Sequence, residues 1–259
     1  MDLKLRGKYA LITGASQGIG AGVARTFARE GVNLHLTARS KDHLEQLAVE
    51  LKDTKVDIHV HPLDITTAGA CEYLAHQCTG IDILVNNAGV IPSGSLFEID
   101  EKRWRDGWEL KVFGYINLCR LIYPQMKARG SGVIINNIGN GGEVFDPQYI
   151  AGTTGNASLM AFTRALGGHS LDDNIRVVGV NPGPVDTDRI YNMLKKRAKT
   201  LFGDESRYKE LEARYPLKRP AHLEEITDLI AFLASERSGY TTGTIFTVDG
   251  GIASRRSII

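Results

Sequence analysis

Short apolar runs alternate with segments of helical periodicity from one end of this chain of 259 residues to the other. Such runs are typical of strands buried on both faces, which occur in parallel sheets covered by helices. No repeat, low-complexity tract or linker rich in proline and serine interrupts the alternation. The sequence therefore predicts a single doubly wound α/β domain over residues 1–259. The predicted strands are Tyr9 to Thr13, Val32 to Ala38, Val56 to Val60, Ile81 to Val85, Val133 to Ile138, Arg176 to Val180 and Thr244 to Val248.

The first two helices have clear signals at their ends. Ile19, Val23 and Phe27 recur every four residues after the first strand, and Gly31 is placed to end that helix. Ser40 belongs to a residue type that caps helices, and a regular series of leucines follows it. A second helix is therefore expected after Ser40.

Charge and cysteine content exclude several classes of protein. Lysine and arginine number 31 against 30 for aspartate and glutamate, and this formal charge of +1 argues against a nucleic-acid-binding face. No apolar run approaches the roughly 18 residues of a membrane span, and the first residues lack the apolar core of a secretion signal. Cys71, Cys78 and Cys119 form an odd and sparse set, which is typical of reduced thiols. We therefore expect a cytoplasmic protein with no membrane and no nucleic acid as partner.

A glycine-rich turn, Thr13 to Gly20, lies between the first strand and the first helix. Glycine lets the backbone turn tightly and approach a pyrophosphate, and the N–H groups at the start of the helix can bind that group. Glycine turns also serve packing, but the strand–turn–helix context favours a dinucleotide site.

The end of the second strand bears on which dinucleotide is bound. Folds that select NAD usually place an acidic residue there, which accepts hydrogen bonds from the ribose hydroxyls, whereas this chain has Ala38 followed by Arg39. A guanidinium attracts the 2′-phosphate of NADP. The other interpretation is a solvated surface arginine. We expect NADP in preference to NAD.

Four motifs, in this order, resemble those of the short-chain dehydrogenase/reductase family. They are the Thr-Gly-x-x-x-Gly-Ile-Gly turn that begins at Thr13, Asn86-Asn87-Ala88-Gly89, Asn181-Pro182-Gly183 and Asp249-Gly250-Gly251. The similarity extends from about Leu5 to Ile252. It implies a Rossmann-type fold with a seven-stranded sheet, a nicotinamide cofactor and usually a homotetramer.

The resemblance also assigns the cofactor site residue by residue. It implies that the glycine turn holds the pyrophosphate, that the third and fourth strands end beside the adenosine, and that the loop after the sixth strand touches the nicotinamide. Gln17 stands where NADP-using members often have Arg or Lys, which weakens the preference for NADP without reversing it. The expected cofactor-binding residues are Gly14, Ser16, Gln17, Gly18, Ile19, Arg39, Asp64, Ile65, Asn86, Ala88, Gly89, Pro182, Gly183, Val185 and Thr187.

The catalytic positions of the family are not matched in this chain. Family members use an Asn on the helix before the fifth strand, a Ser after that strand, and a Tyr-x-x-x-Lys on the next helix, whose Lys lowers the pKa of the Tyr. An alignment without gaps places Lys111 at the Asn and Gly139 at the Ser. It places Gly152 at the Tyr and Asn156 at the Lys. All four positions are therefore replaced.

Lysine and asparagine have exchanged places in this alignment, which suggests a rebuilt site. Tyr149 precedes Gly152 by nearly one helical turn and could face the same cleft. We hypothesise that Tyr149 is the proton donor and that Lys111 lowers its pKa. Asn156 would be a hydrogen-bonding neighbour, and Asn140 would replace the Ser. The alternative is that Tyr149 only packs and Lys111 only occupies the polar niche.

Two further patterns carry weaker indications. The segment Arg189 to Arg219 contains ten basic residues against four acidic ones and lies where lids over ligand crevices are found. It predicts either a lid that attracts an anionic substrate or a solvated amphipathic helix, and the second interpretation is favoured. His59 and His61 share one face of the third strand at a spacing that could bind zinc. Since the sequence shows no third or fourth ligand, no metal site is expected.

Three functions are open from the sequence. The favoured one is an NADP(H)-dependent oxidoreductase that interconverts a ketone and a secondary alcohol of small size, because the nicotinamide-side motifs are all present. The second is a dinucleotide-binding protein without redox activity, serving as a sensor or an oligomer partner. The third is non-redox proton chemistry, such as dehydration or hydrolysis.

Family analogy predicts a homotetramer, or a homodimer, built from the helices on either side of the fifth strand and from the last strand. The segment Gly243 to Val248 and the tail residues Ile258 and Ile259 are suitably apolar for such an interface.

Overall fold

Within residues 1–255, which the computed structural model describes, seven parallel strands form one sheet in the order β3-β2-β1-β4-β5-β6-β7. The predicted fold class and all seven predicted strands are confirmed, with strand ends that differ by at most two residues. The tail residues Ile258 and Ile259, expected at a subunit interface, lie outside the described residues. The strands are β1 (Tyr9–Thr13), β2 (Asn33–Ala38), β3 (Ile58–Pro62), β4 (Ile83–Asn86), β5 (Gly132–Asn137), β6 (Ile175–Pro182) and β7 (Ile245–Val248).

Helices cover both faces of the sheet, as parallel connections require. Ser40 accepts a hydrogen bond from the backbone N–H of His43, so the expected capped second helix is confirmed. Gly31 has φ +80°, a left-handed conformation that suits the residue just after a helix. The helices of the described part are α1 (Gly18–Arg29), α2 (Lys41–Leu51), α3 (Ala70–Gln77), α4 (Glu101–Trp108), α5 (Gly114–Arg129), α6 (Ile150–Ser170), α7 (Asp188–Phe202), α8 (Tyr208–Glu212) and α9 (Glu224–Ala234).

Two apolar cores lie on the two faces of the sheet. The first packs α1, α2 and α9 against strand residues such as Ile12, Leu34 and Val180, all fully buried. The second packs α3 and α5 against the other face, around Leu84 and Ile134. Because side chains alternate along a strand, β1, β4, β5 and β6 contribute to both cores, and for this reason their sequences are largely apolar.

The strand order reverses between β1 and β4, which opens a crevice at their carboxyl ends. The turn after β1 meets the end of β4 there, because a side chain on Gly14 would come within 2.9 Å of the Cα of Ala88. Ligands of open α/β sheets bind at such a reversal point. The fold therefore places the glycine turn and the motif after β4 on the two sides of one crevice.

Two local features reach this crevice. A π-helical segment, Glu109–Phe113, joins α4 to α5 and carries Lys111, and π-helical turns are frequent at functional sites. The basic segment Arg189 to Arg219 is helical, as expected, with α7 and α8 packed around a small core of their own that includes Ile190 and Leu194. Among the described residues, no helix combines the length and apolar character needed to span a membrane.

Candidate active site

The glycine turn after β1 has the geometry expected of a pyrophosphate site. Gly14 and Gly18 have φ values of +64° and +54°, which favour glycine because a Cβ is strained there. A Cβ on Gly20 would lie 2.2 Å from the carbonyl oxygen of Gly14, so no other residue fits. Among the described residues no side-chain hydrogen bond from Gln17, the N-cap of α1, closes the helix end. The first N–H groups of α1 are thus free of a side-chain cap and can bind an anion.

Asn87 ties the motif after β4 to the glycine turn. Its side-chain amide donates to the backbone oxygens of Thr13 at 2.9 Å and Gly14 at 3.2 Å. The hydroxyl of Thr13 accepts hydrogen bonds from the backbone N–H groups of Asn87 and Ala88, both at 2.9 Å. Asn87 stands in a motif visible in the sequence, but its contacts with the glycine turn are seen only in the structure. Its role is to hold the two sides of the crevice in register.

Three residues expected to bind the cofactor have buried side chains, and their part in cofactor binding stays a prediction. Asn86 is fully buried, and its amide donates to Asn136 in the neighbouring strand at 2.9 Å. Ile65 is 8% exposed and packs toward Gly114 at the start of α5, while Val185 belongs to the first core. Of the three, only Asn86 lies within a strand, whereas Ile65 and Val185 lie in the loops after β3 and β6.

The other cofactor positions border the crevice. Arg39 is exposed and has no ion-pair partner within residues 1–255, so its guanidinium is free to meet an anion. Asp64 accepts hydrogen bonds from the backbone and hydroxyl of Thr66 at 3.0 and 2.8 Å, which fixes the loop after β3. Thr187, in the loop after β6, lies over the glycine turn, since its Cγ2 is 3.6 Å from where a Cβ of Gly18 would be. The remaining predicted positions are Ser16 and Ile19 after β1, Gly89 after β4, and Pro182 and Gly183 at the end of β6.

Tyr149 occupies the space of the side chain that Gly152 lacks. It is the residue before α6, and a Cβ built on Gly152 would lie 1.9 Å from Cζ of the Tyr149 ring and 2.2 Å from Cε1. The Tyr149 ring therefore lies directly against Gly152, in the space that a Cβ at the position of the family Tyr would take. Burial raises the pKa of the Tyr149 hydroxyl, and the positive charge and hydrogen bond of Arg189 counteract part of that rise.

Asn156 lies beside Tyr149 in the same cleft. A Cβ on Gly141 would be 3.1 Å from the Asn156 amide nitrogen and 3.2 Å from Cε1 of Tyr149, so both groups line one small space. The Asn156 side chain is buried, and its carbonyl oxygen Oδ1 has no hydrogen-bond partner among the described residues. A buried acceptor without a partner is costly unless a ligand or water satisfies it. Its position fits a hydroxyl of a bound cofactor or substrate.

Asn140 is directed elsewhere. Its amide donates to the Asp249 carboxylate at 3.2 Å, which links the end of β5 to the loop after β7. That carboxylate also accepts three backbone N–H groups of the loop after β7, from Gly251, Ile252 and Ala253. Asn140 thus supports the loop after β7, and its proposed replacement of the Ser stays a prediction.

Lys111 is buried on the far side of the cleft. Its ammonium donates to the carbonyl oxygen of Ile138, and its stem crosses Gly89, where a Cβ would come within 2.7 Å of the lysine Cδ. Burial, with the positive charge of Arg189 nearby, lowers the pKa of Lys111 to about 7. At neutral pH this lysine therefore exchanges a proton readily, which suits a proton relay.

The cation beside Tyr149 is Arg189, which sequence reasoning counted only as one charge of the basic segment. It lies at the start of α7, donates to the carbonyl oxygen of Gly89 at 3.2 Å, and hydrogen bonds to Tyr149. The expectation that Lys111 lowers the pKa of Tyr149 is therefore corrected: the Ile138 carbonyl holds the lysine, and the arginine supplies the charge. The sequence contains one indication of this role, since Arg189 closely follows the motif loop that ends at Thr187.

These contacts define what the site can hold. A dinucleotide phosphate fits the glycine turn, the uncapped start of α1 and the free Arg39. A hydroxyl donor fits the partnerless oxygen of Asn156. At the other end of the crevice, Tyr149 and Arg189 lie together with a titratable lysine nearby. The arrangement can bind an anionic cofactor and move a proton beside it.

Similarity to known proteins extends along almost the whole chain. A family model described as enoyl-(acyl carrier protein) reductase matches residues 14–253. The oxidoreductase UcpA of Salmonella typhimurium is 37% identical over 98% of each chain, and the 3-oxoacyl-[acyl-carrier-protein] reductase FabG of Chlamydia muridarum is 34% identical over 98% of this chain and 100% of its own. The crystal structure of L-sorbose reductase from Gluconobacter frateurii, complexed with NADPH and L-sorbose, superposes with a TM-score of 0.91. Its sequence is 34% identical over 99% of this chain and 100% of its own.

Proposed function

Since the chain belongs to the short-chain dehydrogenase/reductase family, a family of NAD(P)-dependent oxidoreductases, we propose that it interconverts a ketone and a secondary alcohol with NADP(H) through a rebuilt proton-transfer site. The observation that carries this proposal is the ring of Tyr149 in the space that the Gly152 side chain would fill. A phenol beside Gly152 can serve as the acid and base, a role that the family gives to a tyrosine at the position of Gly152. This is the function class that the sequence favours.

The preference for NADP rests on two observations. Arg39 is exposed, has no ion-pair partner within the described chain, and follows Ala38 at the strand end where NAD-selecting folds place a carboxylate. The L-sorbose reductase compared above was crystallised with NADPH. We therefore propose that the Arg39 guanidinium binds the 2′-phosphate.

The proton chemistry follows from the cleft residues. When bound, NADPH supplies a hydride to the carbonyl carbon. The Tyr149 hydroxyl donates its proton to the carbonyl oxygen, and the Arg189 guanidinium stabilises the phenolate that remains. The ammonium of Lys111, which the Ile138 carbonyl holds, then returns a proton to the phenolate through water, and the lysine is itself protonated again from solvent. This transfer runs downhill, because the pKa of Lys111 is lowered to about 7 whereas that of Tyr149 is raised.

The two asparagines have supporting parts in the proposal. Asn156 offers its partnerless Oδ1 to a hydroxyl of the cofactor or substrate, which orients that group beside Tyr149. Asn140 lies just after β5, one residue beyond the position of the family Ser. Its hydrogen bond to Asp249 keeps this part of the cleft rigid. Neither residue transfers a proton.

A panel of ketones tests the activity. NADPH oxidation is followed by absorbance with wild type, Tyr149→Phe and Lys111→Met, and NADPH affinity is measured in parallel by calorimetry. We expect turnover with wild type, a large loss in both variants, and unchanged NADPH affinity in Tyr149→Phe. Tyr73→Phe, at a tyrosine 57% exposed on α3, is the matched control and should behave as wild type.

The result also separates the other functions. Tight NADPH binding with no oxidation across the panel would favour a dinucleotide-binding protein without redox activity. Full activity in Tyr149→Phe would remove the proton-transfer site proposed here.

The homotetramer is proposed on family analogy, with α5, α6 and β7 at the interfaces. In its support, β7 is the last strand of the sheet and its four residues are half-buried or exposed in the single chain. Sedimentation at micromolar concentration tests the assembly. A cytoplasmic location is likewise part of the proposal, and cell fractionation tests it.

A further inference from the structure

Three histidines and a cysteine lie together at the β2–β3 edge of the sheet. His35 is in β2, His59 and His61 are in β3, and Cys78 follows α3. The His35 ring stacks on both others, with ring centres 4.8 Å from His59 and 5.2 Å from His61. The predicted sharing of one strand face by His59 and His61 is therefore confirmed. The glycine turn and the proton-transfer cleft lie at the carboxyl ends of β1 and β4 to β6, so this cluster is a separate feature.

The donor atoms of three of these residues converge. Nδ1 of His35 is 2.9 Å from Nε2 of His61, and the Cys78 sulfur is 3.9 Å from the same His61 nitrogen. The three donor atoms all lie within 4.8 Å of one another. The sequence showed no third ligand for the two strand histidines, and the fold supplies it, because β2 and the end of α3 bring His35 and Cys78 to His61.

We propose that His35, His61 and Cys78 bind one zinc ion. Zinc takes nitrogen ligands at about 2.0–2.1 Å and thiolate at about 2.3 Å in a tetrahedral arrangement, which puts ligand atoms roughly 3.3–3.7 Å apart. The separations of 2.9 and 3.9 Å bracket that range, and the third, from Nδ1 of His35 to the Cys78 sulfur, is at most 4.8 Å, so the side chains need to move by about an ångström or less. A water molecule would be the fourth ligand, and it can reach the ion because His61 is only half-buried.

The donor chemistry selects the class of ion. Two imidazoles and one thiolate suit zinc and other thiophilic d-block ions, whereas magnesium and calcium prefer oxygen ligands. Burial, with the other two histidines close by, lowers the pKa of His35 to about 4, so its ring is neutral and able to ligate at neutral pH. Burial raises the pKa of the Cys78 thiol to about 12 without metal, so binding releases a proton and tightens as the pH rises.

The ion would fasten the edge strand. β3 pairs with β2 alone, and its far edge has no strand partner among the described residues. A bridge from β3 through the ion to the end of α3 holds that edge, three residues before Asp64, the residue that the family resemblance places at the adenine. Occupancy would therefore stabilise the folded chain by mass action.

Cobalt(II) is the probe for this site, added to the full chain after removal of any affinity tag. We expect one equivalent to bind, with a thiolate-to-cobalt charge-transfer band and the visible bands of a tetrahedral complex, and one equivalent of zinc to displace it. Cys78→Ser should abolish the charge-transfer band, and His61→Gln should weaken cobalt binding at least about tenfold. Zinc should also raise the Tm of wild type.

Two variants on α3 are matched controls. Cys71→Ser replaces a buried thiol whose sulfur donates to the Ile65 carbonyl oxygen, and His76→Gln replaces an exposed histidine. Both should keep the cobalt spectrum of wild type. The proposal is overturned if wild type shows no thiolate band, or if folded Cys78→Ser gives the same spectrum. The cluster would then be only a hydrogen bond between two neutral imidazoles.

Discussion

Placing a methyl group at residue 152 separates catalysis from folding in this protein. In Gly152→Ala the new Cβ would lie 1.9 Å from Cζ of Tyr149, 2.2 Å from Cε1 and 2.4 Å from Cε2. Carbon atoms cannot approach so closely, so the ring must leave its place. The ring must give up its packing against Ile91, Ile99 and Ala151, and its hydroxyl then leaves the cleft.

The expected cost in stability is small. Alanine is favoured over glycine inside a helix by about 1 kcal/mol. Expelling a half-buried tyrosine ring costs about the same, since full burial of a large side chain is worth roughly 1.5–3 kcal/mol. The two effects offset each other, so the Tm should move by less than about 4 °C.

The expected cost in activity is large. A positioned general acid contributes roughly 10²–10⁴-fold to the rate, so kcat/KM should fall by that factor. Ketone-dependent NADPH oxidation measures the loss, and thermal denaturation followed by circular dichroism measures the Tm. Calorimetry should show that NADPH still binds.

Gly168→Ala is the matched control, because Gly168 lies in the same helix and a Cβ there would meet nothing within 4 Å. It should keep full activity and be equally or slightly more stable. If Gly152→Ala retains the kcat/KM of wild type, either the ring does not fill that space or Tyr149 is not the acid, and the reasoning fails.

Three other perturbations test separate parts of the site. Arg39→Ala should raise the KM for NADPH about 10- to 100-fold, the value of a charge-assisted hydrogen bond, and leave the KM for NADH unchanged in steady-state assays. Gly20→Ala should abolish NADPH binding measured by calorimetry, since its Cβ would lie 2.2 Å from the Gly14 carbonyl oxygen and would force the turn open. The pKa of Lys111 is lowered from its ordinary value of 10.5 to about 7 in the folded state, so between these two pH values the unfolded chain binds one proton more than the folded chain. The free energy of unfolding should then rise with pH by at most about 1.4 kcal/mol per unit, and Lys111→Met should lose this rise in urea denaturation; an unchanged slope would contradict the buried lysine.

The sequence was sufficient for the glycine turn because local backbone requirements fix it. Gly14, Gly18 and Gly20 are needed for a turn that no other residue can form, and such a requirement is visible in the residue types themselves. Alternating polarity could not show which motif side chains turn inward at a strand end, so Asn86 was assigned to the crevice although it is buried.

The proton-transfer side depended on contacts between distant segments. That Tyr149 and Gly152 share one space could be suspected from their spacing on a helix, but the ring position had to be seen. The pairing of Tyr149 with Arg189 joins α6 to α7 across forty residues of sequence, and nothing in either segment indicates it. Lys111 was expected to face the tyrosine, and the Ile138 carbonyl holds it instead.

Local sequence thus determined the sheet, its strands and the glycine turn, because apolar periodicity and backbone conformation depend on near neighbours along the chain. Tertiary structure alone decided which charge meets which proton donor, and which thiol meets the two histidines, because those groups come together only when parallel strands and their crossover helices are packed. The spacing of residues in the sequence carries no record of such distances.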